Sequence, residues 1–225
     1  MALILSIESS AVNFSVAVHH DGVCLGTEKN FTQRAAASEL APAIQQLCDR
    51  LEIKLSQLRA VAVSEGPGSY TGLRIGSSTA KGICMALNIP LIAVNTLRAM
   101  MWPLRNDQRF RYYCPVLDAR RDEVYCMVFN DQFQEMHDTT AIVVNQNSFS
   151  ELLNEGKVLF FGSGAEKCVR ITGHEHAVGD SDIIPDATAV GEVAWNYFNE
   201  GRFVSVSGFE PLYLKEFLVG TKPKA

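Results

Sequence analysis

At residues 65–76, read EGPGSYTGLRIG, a strand must hand over to a helix, and no other stretch restricts the fold as strongly. An apolar run of β character, AVAVS at residues 60–64, precedes it, and a helix-like run that ends near Leu87 follows. Gly66 and Gly68 permit positive φ or close backbone approach, Pro67 stiffens the turn, and Ser69 or Thr71 can accept from the first free helical N–H groups. Such a corner gathers backbone donors at the positive end of a helix, suited to an anion or to a partner's backbone. A plain strand-to-helix connector fits the same residues. A Walker A loop does not: GxxxxGK[ST] is absent, and the one candidate lysine, Lys81, falls inside the helix.

Hydrophobic residues make up 47% of the 225 residues and charged residues 20%, enough for one elongated domain or two small ones with a core of their own. A net charge of −5 and a pI near 5.6 argue against a basic footprint spread over the surface, so RNA contact would be local or made through a partner. The six cysteines are scattered without a CxxC pair and most fall in apolar runs, which predicts reduced core thiols of a cytosolic protein. The opening MALILSIESS lacks a basic n-region and its apolar run is of strand length, predicting neither a signal peptide nor a membrane span.

In chain order, residues 3–7, 14–19 and 23–27 read as strands, with Asp21-Gly22 as a hairpin turn. Residues 35–51 carry Leu40, Ala43, Ile44, Leu47 and Leu51 at helical spacing, with Pro42 marking a kink or the true start and an irregular alanine-rich first turn. After the helix over 71–87 come a strand at 90–94 and a short helix capped by Asn95 or Thr96. The first hundred residues thus read βββαβαβα, a mixed sheet covered by helices. Residues 112–117 and 123–129 form a hairpin whose turn, 118–122, holds four charges. Either a function for Asp118 and Arg120 or a solvated turn with surface ion pairs fits it. Strands at 139–144 and 158–161 follow, with helices at 148–154, around Cys168, and at 187–197 bearing Trp195 in the core; no internal repeat is visible.

Chemistry is sparse. The five histidines form no HExxH or HxxxH, no GxSxG elbow exists, and spacing alone names no catalytic residue. His174 and His176 fall in a loop-like segment, GHEHAVGD. Glu8, Glu65 and Asp118 lie at strand ends, where they would serve acid–base chemistry in a pocket or cap backbone donors. On the helix after the corner, Gly72, Gly76 and Ala80 fall four residues apart. This smooth stripe admits a second helix, from the same chain or another.

Taken together, ILSIESSAVNFSVAV, SEGPGSYTGLRIG, IPLIAVNTL, VLDARRDEVYCMVF and the closing PLYL resemble the bacterial TsaB (YeaZ) family across nearly the whole chain. The resemblance implies an α/β actin-like ATPase/Hsp70 (ASKHA) fold. Two subdomains, residues 1–105 and 106–225, would each hold a mixed sheet flanked by helices, the second lobe reduced. It also implies a cytoplasmic scaffold without catalytic residues of its own. The scaffold would bind the larger paralogue TsaD, reach the ATPase TsaE through it, and form a homodimer when alone. The complex would make threonylcarbamoyladenosine next to the anticodon, with tRNA as its substrate. Partner contacts would fall on Leu40, Ile44, Gly72, Arg74, Gly76 and Ala80. The metal-binding HxxxH of the paralogue corresponds here to Thr96 and Met100, neither of which replaces imidazole, so no metal and no bound cofactor are expected. Ser9, Ser10, Gly66, Gly68, Ser69 and Thr71 keep a phosphate-loop look that leaves weak ATP or ADP binding in the complex. An ATP-dependent phosphotransferase of the same fold is the alternative. Ala35-Ala36-Ala37 replace a segment that carries a histidine in many relatives, and Lys215, Lys222 and Lys224 make the C-terminal end basic, for RNA contact or as a solvated tail.

Overall fold

The computed structural model describes residues 1–30 and 36–214, so Ala35 and the three C-terminal lysines lie outside the described residues. The first sheet is built from β1 (Leu3–Glu8), β2 (Phe14–His20), β3 (Val23–Asn30), β4 (Leu58–Gly66) and β5 (Leu91–Asn95), in the order β3-β2-β1-β4-β5. β1 and β2 are antiparallel with Leu5 opposite Val18, while β4 and β5 run parallel to β1. The Asp21-Gly22 turn has φ of 48° and 83°, the left-handed pair that a two-residue hairpin requires.

Alternation along the strands sends Leu5, Ile7, Val61 and Val63 to one face, where α1 (Ala36–Arg50) and α2 (Tyr70–Leu87) cover them with Leu40, Ile44, Leu47, Ala80 and Cys84. α1 runs as one continuous helix from Ala36, with Pro42 inside it on the exposed side, so Pro42 is not its start. Each fully buried Leu or Ile contributes about 1.5–3 kcal/mol, and this layer therefore supplies much of the lobe's stability.

The second sheet holds β6 (Tyr112–Asp118), β7 (Glu123–Asn130), β8 (Glu135–Val143), β9 (Val158–Phe161) and β10 (Ala177–Asp180), in the order β10-β9-β6-β7-β8. Read from the other edge, this is the order of the first sheet, a topological repeat that the residues themselves do not announce. Reduction of this lobe lies in its helices: α4 (Ser150–Glu155) and α5 (Ala165–Thr172) have 6 and 8 residues, against 15 and 18 for α1 and α2. β8 begins four residues earlier than the sequence suggests, and β10 has no counterpart in the sequence pattern.

Two helices cross between the lobes. α3 (Thr96–Met101) leaves the first sheet and buries Leu97, Met100 and Met101 against Tyr113, Phe129 and Phe161 of the second. α6 (Ala187–Asn199) returns from the second and lays Val190, Val193 and Ala194 on Ile4, Ala62 and Val94. The chain division at 105/106 falls between the sheets, yet α6 belongs by packing to the first. Trp195 is half-buried against the Gly22 turn and stacks on Phe198 at 6.0 Å.

Candidate functional site

The corner after β4 lies against the β1–β2 loop of the same chain. Ser69 caps α2, its Oγ accepting from Gly72 N at 3.3 Å, as its place before the helix predicts. Its own N–H donates to the Ser10 carbonyl at 2.6 Å. Ser9 Oγ donates to the Gly72 carbonyl at 2.9 Å, and Ser9 and Ser10 are both buried. A Cβ on Gly68 would overlap the Ser10 carbonyl, and one on Gly72 the Ser9 carbonyl. The absent side chains thus let one backbone reach another. Of the six phosphate-loop residues, Ser9, Ser10, Gly68 and Ser69 meet here. Gly66, at φ 110° and joined to Pro67 by a cis peptide bond, turns toward Leu212, while Thr71 is exposed. An anion at this helix end would have to displace the Ser10 carbonyl from the Ser69 N–H.

The expected partner stripe needs correction. Gly72, Gly76 and Ala80 are buried against the β1 strand and the loop that follows it, with Ser9 Oγ overlapping the place of a Gly76 Cβ; Leu40 and Ile44 are buried in the core. Those five residues serve the chain's own helix–sheet contact. Arg74 alone is exposed, with its guanidinium carbon 4.0 Å over the Tyr70 ring and Nε 3.4 Å from the Tyr213 hydroxyl. The outward face of α2 instead carries Ser78, Gly82, Met85 and Ala86. Met85 is 71% exposed and nothing lies within 4 Å of a Cβ built on Gly82. Beside it, α1 exposes Ala41, Pro42, Gln45 and Gln46. Inside α2, Lys81 Nζ donates to the Ser207 and Phe209 carbonyls at 3.2 and 3.0 Å, tying down the segment after α6.

The charged strand ends divide by environment. Glu8 Oε1 accepts from Ser10 N at 2.5 Å, the donor-capping role, and burial pushes its carboxyl above the ordinary carboxylate range. Asp118 Oδ1 likewise accepts from Arg120 N at 2.6 Å, and Oδ2 pairs with Lys167 Nζ at 3.0 Å; Arg120 and Arg121 both adopt positive φ at the tip. The surface-turn reading fits this hairpin. Glu65 does neither. Its backbone carbonyl takes the Leu212 N–H at 2.7 Å while its side chain lines a cavity of about 620 Å³ between the edges of β5 and β8.

Thr96 and Met100, which the resemblance sets against the paralogue's histidines, are fully buried, and a Cβ on Gly162 would lie 2.6 Å from the Met100 methyl. His174 and His176 shape a turn: His174 Nδ1 accepts from His176 N at 3.1 Å, and His176 Nδ1 lies 2.8 Å from the Leu153 carbonyl. No helix of the described residues is long and apolar enough to cross a membrane.

Known proteins share this architecture. An Escherichia coli K12 protein named tRNA threonylcarbamoyladenosine biosynthesis protein TsaB is 27% identical over 219 residues, 94% of either chain. A crystal structure from Pseudomonas aeruginosa, of an uncharacterized protein with similarity to peptidase YEAZ, superposes with a TM-score of 0.84 at 24% identity, over 96% of this chain and all of that one. The activator of 2-hydroxyisocaproyl-CoA dehydratase from Clostridium difficile, solved with bound ADPNP, gives 0.50 at 9% identity, over 89% and 97% of the two chains. At such identities both structures speak for the fold alone, the actin-like ATPase fold. The family model described as TsaD, tRNA N6-adenosine threonylcarbamoyltransferase, matches residues 26–178. That match spans more than half of the chain, which therefore belongs to this family, with TsaB (YeaZ) proteins as its relatives over nearly the full length.

Proposed function

We propose that the chain is a non-catalytic subunit in the biosynthesis of tRNA threonylcarbamoyladenosine. It docks through the exposed faces of α1 and α2 onto a TsaD-type paralogue, and in its absence onto a second copy. The observation that carries this reading is the open face of α2, where Gly82 has free space around its Cβ position and Met85 stands 71% exposed. Packed helices approach to about 8–10 Å between axes, and small residues at i, i+4 and i+8, here Ser78, Gly82 and Ala86, permit the short end of that range. The non-catalytic half rests on Thr96 and Met100, core residues without an imidazole where the paralogue holds its metal. TsaE is reached through the paralogue, tRNA is the substrate of the assembled complex, and the cytoplasm is its place.

Co-purification with the TsaD paralogue of the same organism tests this. Gly82→Arg and Met85→Asp are each expected to abolish capture while the circular dichroism spectrum stays native; Gly82→Arg should also raise the melting temperature, through the helix propensity gained over glycine. Undiminished capture of both variants overturns the docking face. The rival, an ATP-dependent phosphotransferase, draws support from the ADPNP-bound relative of the same fold. Tight stoichiometric binding of Mg-ATP to the isolated chain by calorimetry would favour that rival.

A further inference from the structure

The cavity between the β5 and β8 edges is lined by five charged side chains, Glu65, Arg98, Glu135, Asp138 and Arg202. Arg98 pairs with Glu135 and Asp138 is exposed, while Glu65 is paired with neither arginine. Glu65 stands at the end of β4. Its carboxyl, raised by burial, has Arg98 and Arg202 as the positive charges nearest it. None of the ion pairs among the described residues involves Glu65. Arg98 gives one terminal nitrogen to Glu135 across the lobes. Arg202 lies with its guanidinium carbon 3.8 Å over the Tyr197 ring and reaches Glu200 at 3.4 Å. A guanidinium has five N–H donors, so both arginines keep donors for a further acceptor. Met127, Phe203 and Leu212 supply an apolar wall, and the volume of about 620 Å³ falls within the span of small-molecule sites.

We propose that this cavity binds a small zwitterion of the α-amino-acid class. Its ammonium would meet the Glu65 carboxylate, its carboxylate the free donors of Arg98 and Arg202, and its side chain the wall of Met127, Phe203 and Leu212. With Glu135 already paired to Arg98 and Asp138 exposed, the half-buried Glu65 faces donors that Arg98 and Arg202 have to spare, and a ligand carrying both charges complements these three groups together. Filling the site also relieves Glu65, whose half-buried carboxylate otherwise lacks a counter-ion in contact. The inference does not use the docking face of α1 and α2, so the two stand or fall separately.

Three probes of similar shape test it on the full chain: L-leucine, isopentylamine, which lacks the carboxylate, and 4-methylpentanoate, which lacks the ammonium. Calorimetry and methyl-labelled methionine spectra should show saturable L-leucine binding with a shift of the Met127 methyl. Each single-charge analogue should bind at least about tenfold more weakly, the effect of one lost hydrogen bond to a charged group. Glu65→Gln and the exposed Arg202→Gln should each weaken L-leucine binding by a similar factor. Absence of saturable L-leucine binding overturns the proposal, as does equal binding of either analogue. Undiminished binding to Arg202→Gln overturns it too, even if Glu65→Gln melts early.

Discussion

Replacing Gly76 by alanine and Gly82 by alanine should move stability in opposite directions, although both glycines lie inside the same 18-residue helix. Alanine in a helix interior is favoured over glycine by about 0.8–1.0 kcal/mol. At Gly82 a new Cβ meets nothing within 4 Å, so the whole gain should appear. At Gly76 the Cβ would overlap Ser9 Oγ and lie 3.3 Å from Ser9 Cβ and 3.5 Å from Ile7 Cγ2. Ser9 Oγ is fixed by its 2.9 Å bond to the Gly72 carbonyl, and the residue is 1% exposed. Either the hydroxyl rotates away and stays buried without a partner, at about 1–3 kcal/mol, or the helix shifts outward, at a similar overpacking cost of about 1–3 kcal/mol. After the helix-propensity gain, Gly76→Ala should lose up to about 2 kcal/mol, and because that gain is common to both variants they should lie about 1–3 kcal/mol apart. At about 2–4 °C per kcal/mol for a chain of this size, the melting temperatures should differ by roughly 2–12 °C. Urea titration with linear extrapolation measures the same gap directly. If Gly76→Ala proves as stable as Gly82→Ala, the packing of the β1–β2 loop on α2 described above is wrong. For the same reason Gly76→Arg would break the fold and cannot serve as a probe of docking.

The remaining predictions follow from burial of ionisable groups. Glu8 has its folded pKa raised by burial, so its contribution to stability is full below the unfolded value near about 4.3 and falls as pH rises toward the folded value. Glu8→Gln, which keeps the Oε1 acceptor for Ser10 N, should therefore stabilise at pH 7 and change little at pH 4; equal urea midpoint shifts at both would refute this. His19 is fully buried among Ser6, Thr188 and Gly191, with Asp186 and Glu192 as the nearby charges, and burial lowers its folded pKa. Its contribution is present above the unfolded value near about 6.5 and lost as pH falls below it, so the fold should weaken from pH 7 to 5, and His19→Gln should flatten that slope in thermal melts. Burial pushes the Cys84 thiol up to about 11 and Cys168 to about 12, while Cys24 is only half-buried. Iodoacetamide on the native chain at pH 8 should label Cys24 first by mass spectrometry; early labelling of Cys168 would contradict its burial.

Local chemistry made several of these elements readable from the residues. Ser69 caps α2, Asp21-Gly22 turns the first hairpin, and the four-charge turn joins β6 to β7, because each depends on neighbours only a few positions away. β10 escaped because Ala177-Val178-Gly179-Asp180 is short and half polar, and its strand character comes from pairing with β9, some twenty positions earlier. The second lobe repeats the strand order of the first without repeating its residues, so a topological repeat leaves no periodic trace. α6 looks like any apolar helix. That it covers the first sheet is set by Ser6, Ala60 and Ala62, small residues on the strands beneath it, which no local pattern connects to residues 187–199.

The phase of α2 shows the same limit more sharply. Gly72, Gly76 and Ala80 lie four residues apart, and so do Ser78, Gly82 and Ala86; spacing marks both as smooth stripes and does not say which one faces inward. The deciding residues are Ser9 and Ser10, which follow β1. The Ser10 carbonyl must reach over the start of α2 to the Ser69 N–H while the Ser9 carbonyl passes against Gly72, and only the first stripe leaves room for them. The corner at residues 65–76 therefore resembles an anion site because it answers the same physical demand, free N–H groups at a helix start, with a carbonyl of its own chain. Once that demand is met internally, the helix is fixed in rotation, and its second stripe is turned outward as a rigid surface. The proposed docking role would gain from this arrangement, since a helix held by backbone contacts on its inner side loses little further freedom when a partner helix closes on the outer one.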